Sequence, residues 1–425
     1  MALYISKTKL PIIFEYILFA SFIEVCMFYF FNLIGLQIFQ MIPYLRLISI
    51  FITTFFFFKP KYLKPNFFSI SIANNSENKL VLYWLFFTII GLFIGVLKGN
   101  SILYLFTDVI YVVFGYLLYR LFLLNSELLL EMNIELNGKQ EKKFVYIILI
   151  LSILALILHV DLPSYFIIFS LCFSLYLFNK KKLILTFLCL LPFFFQIITS
   201  GRALLFVFIF ILFFSLTQNK FSKTNIKNLL IILFVVIIIG MFFLGNFLEI
   251  IINYLPQKSS LKDRLMQIML IFNGKANWNS PTMLSLAQRV QEAKLVFEYW
   301  TSSIYNFLFG GGMGATIQGF SFKDDGVANS ALLGKSAIHN IHLLPFSLIF
   351  RYGVFGVFIF ILLMKNGLNY FFKILLSQNS LFKTLIVFQF SWILYSIPAA
   401  AYLWTCPLFW ITLAYISNEK KTKHS

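Results

Sequence analysis

Two histidines three residues apart, His339 and His342, stand with Asn340 at the end of the longest polar stretch of this chain. The same stretch holds Arg289 and the run Gly310-Gly311-Gly312-Met313-Gly314, and Arg351-Tyr352-Gly353 follows just beyond it. These residue types suit acid–base and anion chemistry. A neutral imidazole can take a proton from a hydroxyl, although a histidine serves as readily in a structural role. A guanidinium binds phosphate oxygens as a bidentate fork and keeps its charge at any working pH. Arg289 lies on a stretch patterned as an amphipathic helix through Trp300, where a solvated basic residue is the simpler reading. The glycine run lacks the Lys-Ser/Thr of a phosphate-binding loop, and no strand–helix unit surrounds it. Glycines there admit a close backbone approach or a tight turn. Asp324-Asp325 has no third ligand for a metal. The four cysteines, Cys26, Cys172, Cys189 and Cys406, fall in apolar segments without metal-ligand spacing. Neither a metal nor a cofactor is expected.

The elements that position these residues follow from composition. The 425 residues are 60% hydrophobic and only 12% charged, whereas a soluble domain is about a quarter charged. A run of about 17–25 apolar residues crosses a bilayer. Such runs, several of them short, fall at 11–31, 41–58, 80–97, 101–124, 144–160, 163–179, 183–199, 203–218, 228–250, 343–364, 383–398 and 399–417. The predicted fold is therefore an all-α polytopic membrane protein of about twelve transmembrane helices, with one large extracytoplasmic loop between the ninth and tenth. Residues 1–250 form an N-terminal bundle of about nine helices. Residues 251–342 form the loop carrying the motifs, and 343–425 the C-terminal helices and a basic tail. The segment at 343–364 leaves room for a short interfacial helix before its span. The apolar run continuing to Phe31 is too long for a cleavable signal's core.

The net charge of +18 raises the question of nucleic acid. Its distribution argues against that partner, because the lysines cluster in alternate short loops, as at Lys180 to Lys182 and Lys420 to Lys423. The opposite short loops carry only Lys98 and Arg202. The positive-inside rule then puts both termini in the cytoplasm and the long loop outside. Ionisable residues within spans are costly and often functional. Glu15 and Glu24 face opposite sides of the first span. Arg46 and Asp108 each lie near the outer end of theirs, where they pair with each other or line a cavity. Arg202, in Thr199-Ser200-Gly201-Arg202, either binds an anion or snorkels to the interface.

In order along the chain, Ser-Gly-Arg at an outer hairpin precedes a long outer loop with an arginine-bearing helix. A Gly-x-Gly turn, His-Asn, and a hydrophobic helix opening with Tyr352, Gly353 and Gly356 follow. This order resembles the O-antigen polymerase and O-antigen ligase superfamily, by motif over about 199–365 and by topology over the whole chain. The resemblance implies a bacterial inner-membrane glycosyltransferase that uses undecaprenyl-diphosphate-linked oligosaccharides as donor and acceptor, without metal or nucleotide sugar, with inversion at the anomeric carbon. It implies that Arg202 and Arg289 bind the donor diphosphate and that His339 is the catalytic base. His342, Asn340, Arg351 and Arg46 remain candidates for support of the site. The implied activity is repeat-unit polymerisation. The alternatives are ligation to lipid A core and, from another class, transport of the lipid-linked glycan. Membrane lipid is an expected partner, and a chain-length regulator protein a candidate one.

The lysine asymmetry makes a direct prediction. A cysteine at Ser330 should react with an impermeant reagent in intact spheroplasts, and Lys181→Cys should not; the reverse pattern would invert the topology.

Overall fold

The computed structural model describes residues 10–34, 38–57, 75–125, 136–197, 202–216, 284–317, 338–376, 381–400 and 402–422, with short pieces between 253 and 270. Among them the structure is helical, and the one extended pairing is a single antiparallel bridge between Ile317 and Ile338. In chain order the helices are α1 (Ile12–Leu33), α2 (Ile38–Phe57), α3 (Ser76–Leu97), α4 (Ile102–Leu124) and α5 (Gly138–Ile157). Then come α6 (Ser164–Asn179), α7 (Leu183–Ile197) and α8 (Arg202–Leu216). The polar region gives α9 (Leu284–Thr301) and α10 (Ile304–Phe309). The chain closes with α11 (Leu344–Tyr352), α12 (Val354–Leu376), α13 (Leu381–Ser396), α14 (Tyr402–Thr405) and α15 (Pro407–Thr422).

Helices α1, α3, α4 and α12 are long and apolar enough to cross a membrane, and α2, α6, α7, α8 and α13 contain shorter apolar helices. The expected span at 228–250 lies outside the described residues. Two expected spans are broken. The one at 343–364 is split at Gly353 into the short α11 and the long α12, so its span begins later. The one at 399–417 is split at Cys406, just before Pro407, a residue that suits a helix start because it has no N–H to leave unpaired. At the start of α5, the Asn137 side chain accepts from the Lys139 and Gln140 backbone N–H groups, and the Gln140 side chain accepts from the Asn137 N–H. This reciprocal cap satisfies donors that a helix start otherwise leaves open.

Helices α6 and α13 are buried on almost every face, so they form the centre of the bundle. Helix α13 packs on α6, α8 and α12, while α15 packs on α3 and α4. The C-terminal helices thus share one core with the N-terminal ones. The flanks of the outer helices are apolar and exposed, as at Phe51, Phe55, Phe93, Leu97, Ile150 and Ile184. A surface of that kind is at home in lipid rather than water, which marks a membrane protein.

The bundle has two recognisable ends. At one, the Asn75 side chain donates to the Ser417 carbonyl. At the other, Leu344 N–H donates to the Ile397 carbonyl at 2.9 Å and Ala400 N–H to the His342 carbonyl at 2.7 Å. Tyr395 Oη and Ser164 Oγ are 2.8 Å apart at this second end. The polar loop docks here through the Gly310–Gly314 run. Met313 is fully buried, and its N–H donates to the Gly91 carbonyl of α3 at 2.8 Å. A Cβ on Gly95 would stand 2.3 Å from the Met313 carbonyl oxygen. The close approach that the glycines permit is therefore to the chain's own helices.

Substitution separates this contact from ordinary helix propensity. Gly95→Ala should cost about 1–3 kcal/mol or more through overpacking against backbone. Gly367→Ala, with nothing within 4 Å of the added Cβ, should be neutral or gain up to about 1 kcal/mol. Melting temperatures of the detergent-solubilised variants check both, and equal shifts would contradict the docking geometry.

Candidate functional site

Asp108 lies on the second turn of α4 and is almost fully buried. Its carboxylate collects three donors from the far side of the sequence. Arg351 Nε donates to Oδ2 at 3.1 Å, Gly314 N–H donates to the same oxygen at 2.9 Å, and His339 Nε2 lies 3.3 Å from Oδ1. An isolated carboxylate at such a depth would be prohibitively costly, and pairing with hydrogen bonds is what makes it tolerable. Gly314 reaches the acid because its φ is +71° and because a Cβ there would fall 2.7 Å from the Leu105 nitrogen. Only glycine satisfies both conditions.

Arg351, in the last turn of α11, is held in turn. Its Nη1 donates to Ser347 Oγ at 2.7 Å, and its guanidinium carbon stands 5.2 Å from the Trp404 ring centre. Cation–π stacking of this kind suits a desolvated guanidinium. His339 is clamped as firmly. Its ring stacks on Tyr104 with centres 4.3 Å apart, and Nδ1 lies 2.8 Å from the Ala315 carbonyl oxygen. A carbonyl oxygen only accepts, so Nδ1 carries the hydrogen. Both ring nitrogens therefore face oxygen acceptors.

His342 is placed differently. Its Nδ1 lies 2.8 and 3.0 Å from the two carboxylate oxygens of Glu292 on α9, and its backbone N–H donates to the same carboxylate at 3.1 Å. Glu292 is buried and also accepts from Gln288 Nε2 at 3.1 Å. The His342 side chain is 42% exposed, and no described residue meets its Nε2.

Beside the glycine wedge, Lys98 Nζ donates to Tyr299 Oη at 2.9 Å, Asn306 Oδ1 at 2.8 Å and the Gly310 carbonyl at 2.8 Å. Burial pushes its ammonium below the usual lysine range. Asn100 Nδ2 donates to the Gly311 and Met313 carbonyls at 3.0 and 2.8 Å. These two residues satisfy loop carbonyls that glycines bring against the bundle.

The expected residues divide accordingly. The structure brings His339 and Arg351 together on Asp108, with His342 next to them in sequence and Asn340 exposed between the histidines. Arg289 is partly buried on α9, one turn before Glu292. Arg202 opens α8, and its side chain lies outside the described residues, as do Asp324 and Asp325. Arg46 is not the partner of Asp108. Its Nε and Nη2 donate to Glu24 at 3.0 and 2.9 Å, and Tyr165 Oη donates to the other Glu24 oxygen at 3.2 Å. Helix α1 packs directly on α2, and that proximity decides the pairing. His339, the expected general base, has Ala315 O against Nδ1 and Asp108 Oδ1 against Nε2. Among the described residues, no three His, Cys, Asp or Glu side chains come together as metal ligands.

The sequence reading named Asp108 as an acid within a span but not its partners, and it did not single out Glu292. Glu292 had a signal: it lies three and four residues before the buried Leu295 and Val296, on the face of α9 that turns inward. No known protein family matches the chain, and neither curated proteins nor solved structures yield a relative.

The clamp on Asp108 predicts strong non-additivity. Asp108→Ala leaves a buried guanidinium uncompensated and should cost about 3–5 kcal/mol. Arg351→Met in that background should restore part of the loss. A double-mutant cycle on the purified protein measures this, and additive costs would contradict the pair.

Proposed function

We propose that this chain is a membrane glycosyltransferase of the O-antigen polymerase and ligase kind, transferring an undecaprenyl-diphosphate-linked glycan onto another lipid-linked repeat unit. The observation that carries the reading is the gathering of Asp108, Arg351, His339, Glu292 and His342 where the polar loop meets one end of an apolar-flanked bundle. A lipid-anchored diphosphate with a hydrophilic glycan is met at such a boundary. The topology that goes with this reading has twelve spans, both termini in the cytoplasm and the loop on the outer face of a bacterial inner membrane.

In the proposed reaction the acceptor hydroxyl gives up its proton to a base, and its oxygen bonds to the anomeric carbon of the donor glycan. The bond from that carbon to the diphosphate oxygen breaks with inversion, and the electron pair leaves on the lipid diphosphate. Arg202 and Arg289 are the residues proposed to hold that charge. Guanidinium forks suit phosphate oxygens, and their pairing strengthens as charge builds on the leaving group. Arg289 stands one turn from the carboxylate that holds His342, which supports a place for the diphosphate beside the histidines. Asp108 and Arg351 neutralise each other, so their part is to hold the loop, and His339 with it.

The test is reconstitution with purified lipid-linked repeat units. A polymerase builds a ladder of lipid-linked products; a ligase acts only when lipid A core is supplied; a transporter leaves every glycosidic bond unchanged. Arg202→Lys and Arg289→Lys should each lower ladder formation by about 10- to 100-fold, nearly as far as the alanine variants, because lysine offers a point charge in place of a fork. Full activity of both lysine variants would remove the diphosphate role.

A further inference from the structure

The two histidines of the site have opposite hydrogen-bonding situations, and that difference has a chemical consequence. A general base needs one nitrogen bearing a lone pair toward its substrate, and a second nitrogen whose N–H fixes the ring's tautomer and orientation. His339 meets the second condition twice and the first not at all, since Ala315 O and Asp108 Oδ1 take both nitrogens. Tyr104 stacked on its face leaves the ring little room to turn. His342 meets both. Glu292 accepts from Nδ1 with both of its oxygens in reach, so the remaining lone pair is on Nε2. That nitrogen has no partner among the described residues, on a side chain that is 42% exposed. Glu292 is itself fixed by Gln288 and by the His342 backbone N–H, which keeps the carboxylate under the ring.

We infer that His342, oriented by Glu292, is the proton acceptor of the site, and that His339 is a structural clamp between Asp108 and the Gly310–Ala315 segment. The assignment of the substrate rests on the proposed glycosyl transfer; the assignment of the basic nitrogen rests on the hydrogen bonds alone. In the reaction, His342 Nε2 takes the hydrogen of the acceptor hydroxyl as that oxygen bonds to the anomeric carbon. The imidazolium so formed is stabilised by the buried Glu292 carboxylate. Its proton then passes to solvent or to the departing lipid diphosphate, which returns the ring to its neutral form. Glu292 is a positioning residue in this scheme, acting only through the ring.

Two measurements separate the inference from the function it serves. The first is carbethoxylation of the purified full-length protein by diethyl pyrocarbonate, followed residue by residue by mass spectrometry. His342 should react well before His339, and Glu292→Gln should slow it, because the ring loses the carboxylate that favours its developing positive charge. Modification of His339 first, or no effect of Glu292→Gln, overturns the dyad whatever the substrate is. The second is turnover on lipid-linked repeat units. His342→Ala should lower kcat by about 100- to 10,000-fold with donor KM unchanged, and imidazole in the buffer should restore part of it. Glu292→Gln should lower kcat by about tenfold or more, with Glu292→Asp recovering some of that loss. His339→Ala should act through stability, with a lowered melting temperature and no rescue by imidazole. A His342→Ala protein with normal kcat overturns the inference while leaving the transferase reading intact. Absence of any ladder from the wild-type protein overturns that reading, and the carbethoxylation order still decides which nitrogen is basic.

Discussion

The structure depends on one buried charge. Asp108 sits in an apolar helix where an unpaired carboxylate would cost several kcal/mol, and no residue of its own helix satisfies it. Its partners come from the loop and from the helix after it: Gly314 N–H, His339 Nε2 and Arg351 Nε. The cost of desolvating the acid thus becomes a constraint on the loop. Moving any of the three donors away leaves a charge in low dielectric. The Gly314 end of the loop, 206 residues from Asp108 in sequence, is thereby held in register with α4.

The remaining contacts make that docking close and specific. Lys98 and Asn100, just past α3, take up the carbonyls of Gly310, Gly311 and Met313. Met313 fills the space against Gly91 and Gly95. Glycines let backbone meet backbone, and the carbonyls of Gly310, Gly311 and Met313 each find a donor on the bundle. Next to this docked layer, the His342 ring is partly exposed while its Glu292 partner is buried. A clamp in one histidine and a basic nitrogen in the other is the division of labour proposed for the two.

Much of this was legible in the sequence, and the limits have physical reasons. Composition and the lysine pattern marked a membrane protein, and most expected spans coincide with helices. The later start of the span at 343–364, after a short helix, was among the expectations and matches α11 and α12. The loop's arginines, glycines and histidines were singled out, and the structure brings His339 and Gly314 of that loop onto Asp108. What the sequence withheld was partnership. Asp108 and Arg46 are at similar depth, and depth alone made them a plausible pair, but neighbouring helices decide such matches: α1 supplies Glu24 to Arg46, and α11 supplies Arg351 to Asp108. The choice between His339 and His342 was equally hidden. It turns on which ring nitrogen faces an acceptor, and that depends on Ala315 and Glu292, residues 24 and 50 positions away.

The central claim is that the Asp108 carboxylate fastens the loop to the bundle. Amide hydrogen exchange of the wild-type and Asp108→Asn proteins, resolved by peptide, tests it directly. Loss of the charge should raise exchange together in the segments 310–317 and 338–344, with the buried helix Ser164–Asn179 unchanged. Unaltered exchange in both loop segments, or loss of protection in one without the other, would contradict the account.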